Sequence, residues 1–278
     1  MLIIVGGIFL GLIVGSFLNV LAYRLPIMIE NKINDTDSNK SKIDLEAFNL
    51  ITPSSRCPIC NYKIQIWQNI PVISWLLLKG KCHHCEERIS LRYPLVEILT
   101  GLLSGLIVWK FGITPAALAG LFLIWILISL SLIDLEHQIL PDRLNFMLLW
   151  SGITLALFYP LEPNLPYPDL QSSIIGAMLG YLSLWSVYWL FRFFTGKEGI
   201  GYGDFKLLAA LGAWLGWQML PLIILLSASI GTLIGLIIIK LKVNDRDSPI
   251  PFGPFLSMAG LISLLWGEDI LTKYLNNI

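Results

Sequence analysis

The sequence predicts an all-α polytopic membrane protein with about eight transmembrane helices and one small loop domain. Three observations predict it: a very apolar composition, a series of long uncharged stretches, and one long polar region near the N-terminus. Of the 278 residues, 55% are hydrophobic and 14% are charged, and the mean hydropathy is +0.72. Soluble domains carry about 25% charged residues, so this composition predicts that most of the chain faces lipid.

The overall charge and the aromatic content exclude two classes of protein. Nineteen Lys and Arg residues balance nineteen Asp and Glu residues, so we predict no nucleic-acid partner, because nucleic-acid binding relies on basic charge. Ten Trp, thirteen Phe and nine Tyr residues exclude a disordered chain, which lacks such residues. The predicted surroundings are therefore membrane lipid.

The first apolar stretch, residues 2–22, contains no charge. At 1.5 Å per residue it is long enough to cross a hydrocarbon core of about 30 Å. A cleaved signal peptide is the alternative, but no basic region precedes the stretch, which exceeds the usual apolar length of about 7 to 15 residues. We predict three domains: 1–23 as the first transmembrane helix, 24–94 as a loop domain, and 95–278 as a transmembrane core.

The core contains further uncharged stretches. Residues 207–239 run without a charge and would form a helix of about 50 Å, too long for one crossing. We predict two passes with a turn near residues 216–221; a single pass, giving seven spans, is the alternative. The other predicted spans are residues 96–109, 114–133, 144–159, 173–191 and 249–266.

The positions of the basic residues predict the orientation. With eight spans, seventeen of the nineteen Lys and Arg residues fall on one side, and only Lys110 and Lys273 fall on the other. Cytosolic loops carry the excess of basic residues. We therefore predict that residues 24–94 are cytosolic and that both termini lie outside the cytosol.

Four cysteines in the loop domain form two Cys-x-x-Cys pairs, Cys57 with Cys60 and Cys82 with Cys85. This spacing is typical of a structural zinc site with four thiolate ligands. His83 and His84 are alternative ligands, and four unligated thiols in a reducing compartment are the alternative to a metal site.

Two carboxylates, Asp134 and Asp204, lie at predicted cytosolic ends of spans. Two nearby carboxyl groups share one proton, so that one activates water while the other polarises a peptide carbonyl. This pattern predicts aspartyl protease chemistry. The alternatives are that each is a boundary carboxylate or a helix N-cap, and that Asp142 takes the place of Asp134.

Several segments in order along the chain resemble the type IV prepilin peptidases, the GxGD-type aspartyl proteases of bacterial inner membranes that are also N-methyltransferases. The matching segments are residues 15–20, 23–26, the two cysteine pairs, 69–71, 80–82, 92–97, 133–134, 140–142, 199–206 and 249–254.

The resemblance implies cleavage of a short basic leader from prepilins and pseudopilins between Gly and Phe, followed by methylation of the new N-terminus with S-adenosylmethionine. It implies that Asp134 and Asp204 are catalytic and that the four cysteines bind zinc. It associates methyl transfer with the first cytosolic loop, here with Gly80 and Lys81. For Gly80, a turn before the second cysteine pair is the alternative role.

Two other functions remain open at this point. One is a non-catalytic transporter or assembly scaffold, in which the two Asp residues would be ion or proton sites. The other is a peptidase that has lost methylation. The sequence also leaves open the particular pilin substrates, the residues that bind S-adenosylmethionine, and the oligomeric state.

Overall fold

The structure is a computed structural model that describes residues 1–35, 48–158, 167–197, 199, 201–241 and 250–276. Three positions used in the predictions lie outside these ranges: residue 159 at the end of one span, residue 249 at the start of another, and residue 200 in the 199–206 segment. The described residues contain no β-strand, only two isolated bridges, which confirms the all-α prediction. Their nine α-helices are α1 (Leu2–Asp35), α2 (Ile73–Leu77), α3 (Arg92–Phe111), α4 (Pro115–His137), α5 (Asp142–Phe158), α6 (Leu170–Thr195), α7 (Tyr202–Leu215), α8 (Leu220–Lys240) and α9 (Gly253–Leu275).

Six of the helices in the described ranges are long and apolar enough to cross a membrane: α1, α3, α4, α6, α8 and α9. This confirms a polytopic membrane protein. Two further helices, α5 and α7, lie where spans were predicted but have only 17 and 14 residues. The predicted count of eight spans is therefore not confirmed exactly, although each of the eight predicted stretches is helical over most of its described length.

The chain divides into two compact units, Met1–Ser129 and Leu130–Ile278. In the first unit, α1 packs closely against α3 through glycines spaced four residues apart. A Cβ atom on Gly11 would lie 2.5 Å from Ser104 Oγ, and one on Gly15 would lie 2.8 Å from Glu97 Cα. Small residues at this spacing let two membrane helices approach closely, which explains why residues 7, 11 and 15 of α1 are glycines.

The polar region of the first unit is fastened to these helices by buried polar side chains. Arg24, in α1, donates hydrogen bonds to the carbonyl oxygens of Asn49 at 2.8 Å and Pro53 at 2.6 Å. Glu97, in α3, accepts one from the Val72 N–H at 2.7 Å. Because a buried charged or polar group is costly unless it is paired, these bonds fix where the loop leaves the helices.

In the second unit, α7 is the central helix. Every residue from 207 to 216 is buried, and the helix contacts α5 and α6 through small residues and one tryptophan. A Cβ atom on Gly180 would lie 2.6 Å from the Leu208 carbonyl oxygen, and Trp214 Nε1 donates to the Leu148 carbonyl oxygen at 2.7 Å. At about 1.5 Å per residue, its 14 residues span only about 21 Å.

The predicted turn between the two passes of residues 207–239 is confirmed. Helix α7 ends at Leu215, Gly216 has φ +82°, and a 3-10 helix, Trp217–Met219, leads into α8. A positive φ is accessible to glycine without strain. The single long pass is therefore wrong, because the chain turns at this glycine.

Candidate active site and metal centre

Asp134 lies in the last turn of α4 and is 6% exposed. Its Oδ2 accepts a hydrogen bond from the Gly253 N–H, at the start of α9, over 2.9 Å. A Cβ atom at residue 253 would lie 2.7 Å from the same oxygen. Only glycine therefore allows the backbone to approach this carboxylate so closely.

Asp204 is the third residue of α7 and is 7% exposed. Its Oδ2 accepts a hydrogen bond from the Gly201 N–H at 3.2 Å, which closes the first turn of the helix. Its Oδ1 is buried and accepts no hydrogen bond from the described residues. A buried polar atom without a partner is costly, so this oxygen is suited to contact with water or substrate.

Leu140 links the surroundings of the two carboxylates. A Cβ atom on Gly203 would lie 2.6 Å from Leu140 Cβ, and one on Gly253 would lie 3.1 Å from Leu140 Cδ2. The leucine therefore packs against the residue before Asp204 and against the residue that binds Asp134. The structure therefore brings the surroundings of the two predicted carboxylates together at Leu140.

Asp142, the alternative to Asp134, is engaged elsewhere. Its Oδ1 lies 2.5 Å from Lys206 Nζ, and its side chain is 58% exposed. Lys206 also lies over the ring of Phe146 at 5.7 Å. Asp142 is thus in an exposed ion pair, whereas Asp134 is buried beside the start of α9.

The four cysteines form one cluster, in which the sulfur atoms all lie within 4.8 Å of one another. Cys57 Sγ is 3.8 Å from Cys85 Sγ, and Cys60 Sγ is 4.0 Å from Cys82 Sγ. Four thiolates at the zinc–sulfur distance of about 2.3 Å in a tetrahedron lie about 3.8 Å apart. The separations therefore suit a tetrahedral metal ion.

The two cysteine pairs lie on turns of the same form. In the first, the Cys57 N–H donates to the Tyr62 carbonyl at 3.0 Å and the Asn61 N–H donates to the Cys57 carbonyl at 3.0 Å. In the second, Cys82 and Glu86 make the corresponding bonds, to Glu87 and Cys82. Backbone N–H groups of Cys60 and Ile59 also lower the pKa of the Cys57 thiol to about 7, which favours the thiolate that binds metal.

Known proteins match almost the whole chain. Residues 9–111 match the Bacterial Peptidase A24 N-terminal domain, and residues 121–236 match the Type IV leader peptidase family. Similar proteins called prepilin leader peptidase/N-methyltransferase come from Stutzerimonas stutzeri, 49% identical over 96% of this chain and 91% of the relative, and from Pseudomonas aeruginosa, 51% identical over 96% and 92%. A Legionella pneumophila relative of that description is 43% identical over 98% and 94%.

The chain belongs to the type IV leader peptidase family. It is therefore an enzyme, a peptidase and methyltransferase, and a multi-pass protein of the inner membrane. The transporter and scaffold alternatives are wrong for this reason. No solved structure matches the chain.

Gly80 lies in a tight turn. It is one of the two residues that the resemblance associates with methyl transfer. Its φ is +66°, and a Cβ atom there would lie 2.7 Å from Trp75 Cζ2. Its N–H donates to the Trp75 carbonyl and its carbonyl accepts from the Ile89 N–H, both at 2.8 Å. Lys81 follows with an exposed side chain and pairs with Arg88 in a bridge.

The two histidines lie outside the cluster. His84 stacks on Tyr62 with ring centroids 5.0 Å apart, and His83 makes an edge contact with Trp67 at 5.5 Å. Among the residues that the structure describes, the four cysteines are the group whose ligand atoms lie close enough together to hold one metal ion.

Sequence reasoning assigned no role to Gly253, Leu140 or Glu97. The signal for Gly253 was present, because Pro251-Phe252-Gly253-Pro254 places a glycine where a helix begins after a proline-containing segment. Which side chain this glycine faces depends on a contact 119 residues away along the chain, and no local pattern contains that information.

Proposed function

We propose that this enzyme cleaves the short basic leader of type IV prepilins and pseudopilins between Gly and Phe, with Asp134 and Asp204 as the catalytic pair. The main support for the proposal is the pair itself: two buried carboxylates, each bound by a glycine N–H at a helix end, with Leu140 packed against a neighbouring glycine of each. The relatives called prepilin leader peptidase/N-methyltransferase support the substrate class.

The proposed cleavage uses both carboxyl groups. Two neighbouring carboxyls share a single proton, because both cannot easily be ionised. The ionised group takes a proton from water as the water oxygen attacks the peptide carbonyl carbon, and the protonated group donates to the carbonyl oxygen. Collapse of the tetrahedral diol breaks the C–N bond, and the proton passes to the leaving amine. The unpaired Oδ1 of Asp204 supports a direct contact with water or substrate.

We place this reaction at the cytosolic face of the membrane. Asp134 lies near the C-terminus of α4 and Asp204 near the N-terminus of α7, and the distribution of basic residues puts both helix ends on the cytosolic side. A prepilin carries an apolar helix just after its cleavage site, so the scissile bond lies at the same boundary. A soluble protease would reach that bond poorly.

We propose that Cys57, Cys60, Cys82 and Cys85 bind a structural zinc ion that folds the loop domain 24–94. Four thiolates close the coordination shell, which leaves no position for substrate. We also propose that residues 1–23 form the first transmembrane helix and that residues 95–278 form the transmembrane peptidase core.

We place methyl transfer in the loop domain, with S-adenosylmethionine as the methyl donor to the new N-terminal amine. Gly80 and Lys81 are the proposed residues for this step. The positive φ of Gly80 and its contact with Trp75 support a role in shaping the turn that leads to the second cysteine pair.

The proposal is tested by incubating membranes that contain the enzyme with a prepilin bearing a Gly-Phe junction, with and without S-adenosylmethionine, and measuring the intact mass of the pilin. The expected product has lost its leader, and with the cofactor it gains one methyl group. A folded enzyme that leaves several such prepilins at their original mass would overturn the proposal.

A further inference from the structure

Helix α2 of the first unit exposes an apolar face that no described residue covers. This α2 face consists of Ile73, Leu76 and Leu77 of the helix and of Ile70 just before it, all exposed, with Leu77 at 69%. The opposite side is packed, because Ser74 is buried and the Trp75 Nε1 donates to the Ile89 carbonyl at 3.2 Å. Adjacent exposed apolar residues of this size mark an interaction surface.

A hydrogen bond joins the start of α2 to the first turns of α3. The Val72 N–H, directly before α2, donates to Glu97 Oε2 at 2.7 Å. Glu97 is in the second turn of α3, a helix long and apolar enough to span a membrane. Two other residues of the first turns of α3, Leu95 and Ile98, are apolar and exposed. The hydrogen bond thus places α2 at the depth where this apolar helix begins.

The surroundings of α2 are basic. Lys79 is the second residue after the end of α2 and Lys81 the fourth, and both side chains are exposed. Residues 48–94 contain two acidic residues, Glu86 and Glu87, and six basic residues: Arg56, Lys63, Lys79, Lys81, Arg88 and Arg92. An apolar face bordered by lysines is the pattern of a segment that lies in the membrane interface.

We propose that the α2 face lies in the interfacial layer of the protein's own membrane and binds anionic phospholipid. The acyl chains contact Ile70, Ile73, Leu76 and Leu77, and Lys79 contacts the headgroups. The charge favours lipid over the prepilin leader, since that leader is basic and the same lysines would repel it. The inference rests on the membrane location of the chain and not on the proposed peptidase site.

The contact has a consequence for the loop domain. The Gly80 N–H bonds to the Trp75 carbonyl, so α2 is joined directly to the turn before Cys82. A lipid-bound α2 would therefore fix the orientation of the cysteine cluster relative to the membrane surface.

Photocrosslinking tests the inference on the full-length protein in nanodiscs of phosphatidylethanolamine and phosphatidylglycerol. The photoreactive residue p-benzoylphenylalanine replaces Leu77 in one variant and Ile59 in the control, which is an exposed apolar residue on the first cysteine turn. Mass spectrometry then measures lipid adducts. We expect several-fold more adducts at residue 77; equal yields at both positions, or none at 77, would overturn the inference. Zinc content and gel-filtration elution confirm that both variants are folded.

Two further arms separate lipid from other partners. Lys79→Gln should lower the share of phosphatidylglycerol among the adducts at residue 77, and an unchanged share would overturn the headgroup contact. In native membranes that contain prepilin, an adduct of residue 77 with prepilin in place of lipid would overturn the inference in favour of a substrate surface. Peptidase activity of the same samples reports separately on the proposed function.

Discussion

The Gly253 N–H donates a 2.9 Å hydrogen bond to Asp134 Oδ2, and the position of its missing Cβ atom lies 2.7 Å from that same oxygen. The residue that binds this carboxylate is therefore also one where an added Cβ atom would displace it. The start of α9 and the end of α4 meet at this point, so the bond fixes the position of one half of the proposed catalytic pair.

Replacing Gly253 should impair cleavage. We expect Gly253→Ala to push the carboxyl group of Asp134 aside, because contacts under 3.0 Å are not tolerated, and a displacement of about 1 Å in an active site can cost roughly 10²-fold in rate. The measurement is kcat for prepilin cleavage. The control is Gly235→Ala in α8, where an added Cβ would make an ordinary 3.4 Å contact with Ile250 and kcat should be unchanged. Equal rates for the two variants would show that the close approach at residue 253 does not matter.

Zinc should depend on all four cysteines and on neither histidine. Cys57→Ser or Cys85→Ser removes one ligand from a closed shell, and because metal binding supplies folding free energy, we expect loss of bound zinc and faster proteolysis of the loop domain. Elemental analysis of the purified protein measures the metal. The control is His84→Ala, which loses a stacking contact with Tyr62 and should keep its zinc. A cysteine variant that retains a full equivalent would contradict the four-thiolate site.

Gly80→Ala should lower methyl transfer more than cleavage. The new Cβ would lie 2.7 Å from Trp75 Cζ2, and the positive φ adds strain of about 1–2 kcal/mol for a residue other than glycine. The test is the ratio of methylated to cleaved product. If Gly80 acts by shaping the turn, the double variant Gly80→Ala/Trp75→Leu should recover part of the ratio of methylated to cleaved product, because the indole that clashes with the new Cβ is gone. No recovery in a zinc-loaded protein would instead indicate direct contact between Gly80 and the cofactor or substrate.

The Glu97 carboxylate should hold α2 in place. Glu97→Ala would leave the part-buried Val72 N–H without its acceptor, which costs at most about 1–3 kcal/mol. Val72 already has φ +61°, an unfavourable value for a β-branched residue. We expect faster hydrogen exchange at residues 72–77. Glu97→Gln keeps an oxygen acceptor and is the matched control. Identical exchange in both variants would show that the bond does not fasten the segment.

Much of this organisation follows from local patterns. Uncharged stretches locate the helices because an apolar run of that length has few other stable environments, and the break at Gly216 follows from the limit on span length. The cysteine spacing predicted the cluster at Cys57, Cys60, Cys82 and Cys85, because each pair on a tight turn brings two sulfurs together. Conversely, α1 runs to Asp35, beyond the apolar stretch that located it, since polar residues also continue a helix.

The remainder depends on contacts between distant parts of the chain. That Asp134 faces Gly253, and that Leu140 packs against both Gly203 and Gly253, is decided by how α4, α7 and α9 pack. The choice between Asp134 and Asp142 was open in the sequence for the same reason. The structure distinguishes their surroundings. Asp134 is buried beside a backbone N–H, whereas Asp142 forms an exposed ion pair with Lys206. Such a pair contributes at most about 1 kcal/mol to the stability of the fold.

The roles of Asp134 and Asp204 are tested most sharply by comparing Asp134→Asn, Asp204→Asn and Asp142→Asn in one prepilin cleavage assay that measures the intact mass of the pilin. An amide keeps the shape of the side chain but neither takes a proton from water nor shares one with its neighbour. We predict that cleavage falls by at least about 10²-fold in the first two variants and stays near wild type in Asp142→Asn. All three variants should still methylate a pilin supplied without its leader. Normal cleavage by folded Asp134→Asn or Asp204→Asn would contradict the proposed pair.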